Sequence, residues 1–215
     1  MTTRRPLTRT LARITAASGT ALVLASLPAQ AHHAMGGGKV TTFGQGLLSG
    51  LAHPIIGLDH CIFLLAIGAL SALVPGGILL IAAFLVASFA GVVVHLAEFG
   101  MPFVEPALAV TILAAGTLLI AGGMRTRLLV LALATVGGVL HGYALAESIV
   151  GAEPTPLTAY LVGLTMVQGT LMAMANSVGH QFLDPATHSR QRLQWAGGAV
   201  CLAGGAFLIA SLVGA

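Results

Sequence analysis

Two imidazoles and a carboxylate stand at the head of an apolar run in "HPIIGLDH", which supplies His53, Asp59 and His60. Farther along, "HLAE" supplies His95 and Glu98, and "HGYALAES" supplies His141 and Glu147. Nitrogen and carboxylate donors together form a ligand set for a divalent first-row transition ion. Cys61 and Cys201 lie in separate apolar segments with no C-x-x-C spacing, so neither a thiolate metal site nor a disulfide framework is expected. An ionisable side chain inside a bilayer costs about 2.5 kcal/mol or more, and such groups face a bundle interior and find partners. Taken singly, each of these groups could be a structural pair of His with Glu or Asp.

Spacing limits what one straight helix can bring together. His53 and His60 would share a face but lie about 10 Å apart along the axis, and Asp59 would point more than a quarter-turn away. Pro54 at a first helical position would leave His53 flanking the helix and able to fold back over its first turn. Gly57 would then clear bulk between the two imidazoles. Asp59 can alternatively orient an imidazole from behind. His95 and Glu98, at i and i+3, would share a face. His32 and His33, with Met35, could capture an ion ahead of the membrane. Thr165, Gln168 and Met172 fall on one helical face that could line a path inward, although ordinary helix packing explains them as well.

The elements that position these groups must cross lipid. Of 215 residues, 57% are hydrophobic and 7% charged, with a mean hydropathy of +0.98, far from the composition of a soluble domain. The fold expected is an all-α membrane protein: a cleaved N-terminal signal peptide followed by a bundle of six transmembrane helices. Residues 1–31 read as the signal peptide, with Arg4, Arg5, Arg9 and Arg13 ahead of a short apolar stretch and an A-x-A site at Ala29-Gln30-Ala31. The alternative, an uncleaved first span, is short of the roughly 20 residues required. Residues 32–53 read as a periplasmic Gly- and His-containing segment and 54–215 as the transmembrane domain. The six spans are expected near 54–74, 77–98, 103–122, 128–148, 157–178 and 193–213, separated by Gly/Pro breakers such as Pro75-Gly76-Gly77. The net charge of +3 owes much to the leader arginines, so no nucleic-acid partner is expected.

A mature N-terminus in the periplasm, with the chain in the inner membrane of a bacterium, places Arg125, Arg127, Arg190 and Arg192 on the inner side, as the positive-inside rule requires. The same topology sets His53, Asp59, His60, His95, Glu98, His141 and Glu147 in the outer half of the membrane, from three sequence-distant segments. Agreement in depth favours a shared site over scattered structural pairs.

"HPIIGLDH" followed by "HGYALAES" resembles the HupE/UreJ family of bacterial nickel permeases, whose first and fourth spans carry H-P-x-x-G-x-D-H and H-G-x-A-x-x-x-E. The resemblance runs in order along the whole mature chain. It implies uptake of Ni2+, with Co2+ or Zn2+ as possible substrates, for hydrogenase or urease maturation, and an indirect hand-off to their nickel chaperones. His53, Asp59, His60, His141 and Glu147 match its motifs, and Glu98 resembles a second-span acidic position. One departure is Leu145, where the family often carries a second histidine. No P-loop is present, so the chain itself does not use ATP, and neither an organic cofactor nor an enzymatic activity is expected. The competing readings are a b-type cytochrome with haem held by histidines of two helices, which leaves the carboxylates unexplained, and a membrane hydrolase, for which no G-x-S-x-G nucleophile is found.

Overall fold

The computed structural model describes residues 40–122, 127–183 and 190–214. The expected signal peptide, His32, His33, Met35 and Arg125 lie outside the described residues. Seven α-helices follow in order: α1 (Phe43–Ile56), α2 (Leu58–Ala72), α3 (Ile78–Leu96), α4 (Val104–Ala121), α5 (Arg127–Leu145), α6 (Pro154–Phe182) and α7 (Arg190–Val213), with a 3-10 turn at Ala146–Ile149 between α5 and α6. No strand is present among the described residues. Helices α3 to α7 are each long and apolar enough to cross a membrane, and α1 and α2 pass that test together as a pair bent by 77°. Large apolar side chains such as Ile78, Val86, Leu128, Leu202 and Leu212 point outward, an arrangement suited to lipid rather than water.

The first span departs from the expected form. The helix that leads into the elbow begins at Phe43, not after His53, because Thr42 and Gln45 make a capping box that satisfies the first backbone N–H groups. The boundary expected between 53 and 54 therefore falls inside α1. Pro54 sits in the last turn of that helix rather than at the start of another. It lacks the N–H that would continue the ladder, and the break falls three residues later at Gly57, with ψ near 95°.

Small residues set the helix pairings. A Cβ on Gly46 would lie 2.2 Å from the Pro156 carbonyl oxygen, and one on Gly50 would lie 2.2 Å from that of Tyr160. A Cβ on Gly68 would lie 2.5 Å from the Met172 carbonyl oxygen. So α1 and α2 both run along α6 in its own direction. Between the contact of Leu51 with Gly163 and that of Gly68 with Met172, the bent pair spends almost twice as many residues as α6. The surplus, residues His53 to His60 among it, forms an elbow into the bundle. Helix α3 lies parallel to α5, with Gly138 against Phe84 and Ala87 and Gly142 against Ser88. Helix α7 runs antiparallel to α4, with Gly197 against Gly116 and Ile120 and Gly204 against Leu113. Such close backbone approach is how helices associate where lipid offers no hydrophobic drive.

Candidate metal path at the α1–α2 elbow

Three histidines from three helices are buried together or nearly so: His53 at the end of α1, His60 in the first turn of α2 and His141 near the end of α5. The elbow matters because a continuous helix would have held His53 and His60 two turns apart. Their ring centroids are instead 6.3 Å apart. Gly57 is required here by space and not by backbone angle, since a Cβ on it would meet His60 Cδ2 at 2.7 Å. The room that glycine leaves is filled by the His60 ring itself.

Hydrogen bonds give each ring a direction. Thr111 of α4 donates its hydroxyl to the Leu108 carbonyl (2.6 Å) and lies 3.0 Å from His141 Nε2. With that proton committed, the Thr111 oxygen accepts from His141 Nε2–H. Neutral His141 then offers the lone pair of Nδ1 to His60 Nδ1–H, 2.8 Å away. In this tautomer the Nε2 of neutral His60 carries a lone pair, on the side where Asp59 Oδ2 stands 3.9 Å away. Ser148 contacts His53 Nδ1 at 2.9 Å and lies 3.3 Å from the Leu145 carbonyl, so its hydroxyl fixes the position of the His53 ring. The elbow thus brings together two imidazole rings and a carboxylate, with Thr111, His141 and Ser148 behind them.

The remaining expected residues are placed elsewhere. Helix α3 ends at Leu96, and Glu98 is exposed in a left-handed backbone conformation (φ 61°), so His95 and Glu98 do not share a helical face. The His95 ring packs on Tyr143 with centroids 4.4 Å apart, and its Nδ1 is buried without a hydrogen-bond partner. Glu147 lies on the 3-10 turn and is exposed. Thr165 faces outward, whereas Gln168 and Met172 are buried. Leu145 is fully buried, and its carbonyl accepts from both Ser148 and Tyr160. Among the described residues no three His, Cys, Asp or Glu side chains are drawn close enough to cage a metal ion.

Sequence reasoning missed Thr111 and Ser148 as partners of the histidines. Ser148 adjoins Glu147 in "HGYALAES", which was a usable signal. Thr111 had none, because a threonine in an apolar span is ordinary.

The fold and the elbow define a multi-pass helical membrane protein with a buried histidine cluster at a break in its first apolar segment. The family model described as HupE / UreJ protein matches residues 20–207, and the chain belongs to that family. It is similar to Protein HupE of Rhizobium leguminosarum bv. viciae, 29% identical over 193 residues that cover 88% of this chain and 96% of the relative. No solved structure matches the chain.

Proposed function

We propose that the protein is a permease of the bacterial inner membrane that takes up a divalent transition ion, Ni2+ first among the candidates, for hydrogenase or urease maturation. The observation that carries this reading is the elbow, where His53 and His60 lie with Asp59 at the break between α1 and α2. In lipid an interrupted helix is tolerated where it is buried in protein or lines a cavity, and broken helices of transporters use that freedom at their binding sites. The ion arrives hydrated, exchanges part of its water for these donors, keeps the rest, and leaves because the cage is incomplete, as conduction demands of any site on a path. His32 and His33 would collect the ion ahead of the membrane, and His95, Glu98 and Glu147 would act at the approach to the elbow rather than within it.

Six crossings follow if the bent pair is one span. Both halves run along α6 in one direction, α3 lies parallel to α5, and α7 opposes α4, the relative senses that alternation of six spans demands. Such a topology, with the mature N-terminus in the periplasm after signal cleavage, puts Arg127, Arg190 and Arg192 inside. Without a nucleotide motif the driving force is the membrane potential or an ion gradient.

The test is uptake of radioactive Ni2+ by cells carrying wild type, His60→Ala or His141→Ala at matched membrane abundance, with Co2+ and Zn2+ as competitors. Both variants are expected to fall to the level of empty cells. Wild-type uptake that is no greater than in empty cells, or undiminished in both variants, overturns the reading. The competing reading, haem held by histidines of two helices, gives no role to Asp59 beside His60, and an absorbance scan of the purified protein tests it.

A further inference from the structure

Phe63 lies one turn beyond His60 on α2 and is fully buried. Its ring stacks on that of His141, with centroids 4.2 Å apart and planes 3° from parallel. The tip of the ring meets α5 at Gly137, where a Cβ would stand 2.3 Å from Cζ, so the ring occupies a notch that any other residue would fill. Phe84 of α3 adjoins it at 6.0 Å. With Ile67, Ile112, Ala134 and Met172 in the same buried cluster, these rings make an apolar layer directly beneath the histidines. Polar groups resume past that layer. Ser71, the penultimate residue of α2, is buried and accepts from Asn176 Nδ2 at 2.7 Å. Along the bundle the order is therefore imidazole and carboxylate, then phenyl rings, then hydroxyl and amide.

We propose that Phe63 is the barrier residue of the inward path, closing the floor of the histidine cluster against the Ser71–Asn176 pair. The inference rests on the permease reading. An ion with bound water cannot enter an apolar layer without losing ligands it needs, and hydrophobic constrictions close channels on that principle. Stacking ties the barrier to the site: His141 cannot turn toward an ion without uncovering the face of Phe63, and Gly137 leaves that ring without a side chain locking it from α5. The Ser71–Asn176 pair then offers oxygen donors to the ion on the far side.

The experiment uses purified full-length protein in liposomes with an inside-negative potential and a Ni2+-quenched dye within. Phe63→Ala is expected to raise the saturating rate of Ni2+ entry several-fold and to reduce the preference for Ni2+ over Zn2+, with the half-saturating concentration little changed. Phe63→Leu, which keeps apolar volume but not the stack, should move both in the same direction and carries the test if Phe63→Ala does not fold. A saturating rate at or below wild type in a folded variant overturns the proposal. So does a lower rate with a raised half-saturating concentration, since that is what loss of support for His141 alone would produce. Wild-type liposomes that admit no more Ni2+ than protein-free ones overturn the permease reading itself and this proposal with it.

Discussion

At the residue scale the histidines are defined by what stands behind them. Thr111 matters because its only proton is spent on Leu108, which obliges it to accept from His141 and so sets which nitrogen of His141, and through it of His60, carries hydrogen. Thr111→Val keeps the shape and removes the acceptor, leaving a buried N–H unpaired at a cost of about 1 to 3 kcal/mol. The expected outcome is a lower melting temperature in detergent and reduced Ni2+ uptake at unchanged membrane abundance. Thr111→Ser, which restores the hydroxyl, should recover most of the uptake. Gly57→Ala acts on the other side of the cluster. Its Cβ would displace the His60 ring, so uptake should drop sharply while the protein still inserts; uptake at the wild-type level would show that the ring position is not critical.

At the element scale the bundle depends on glycines that let backbones touch. Gly142 sits one residue from His141, and a Cβ there would lie 2.0 Å from the Ser88 carbonyl oxygen. Gly142→Val should separate α3 from α5 and cost several kcal/mol through the overpacking and its knock-on shifts, which membrane abundance and thermal aggregation of the solubilised protein would reveal. Gly198, where a Cβ would meet nothing within 4 Å, is the control: Gly198→Ala is expected to be silent in both assays. The elbow belongs to this scale as well. Pro54 was legible as a helix-boundary residue and Gly57 as a clearing beside the imidazoles, but the boundary fell on the other side of the proline. The capping box at Thr42 and Gln45 lengthens α1 into what composition alone presents as a Gly-rich lead, so the proline ends a helix where it was expected to begin one.

At the scale of the whole molecule, reporter fusions test the direction of the spans. A cytoplasm-active reporter placed after Arg127 or Arg192 should be active and one after Glu153 inactive; the reverse pattern would invert the path and move the histidine cluster to the inner side. Hydropathy and breakers were sufficient to read an all-helical membrane protein and most of its spans from the sequence, because burial in lipid demands about 20 apolar residues per crossing wherever the helix ends up. The residue types of the elbow were equally legible, since charged and imidazole groups in apolar segments are too costly to be incidental. What the sequence did not determine is which of those groups meet. Periodicity alone puts His95 and Glu98 on one face and gives Glu147 the same standing as His141, whereas helix α3 stops two residues before Glu98 and the turn after Leu145 carries Glu147 outward. The stack of Phe63 on His141 and the hydrogen bond from His141 to Thr111 join residues far apart in the chain. Only the packing of α2, α4 and α5 around the bend could decide them, because side-chain contacts between helices depend on their relative rotation and height, and neither is written in the spacing within any one helix.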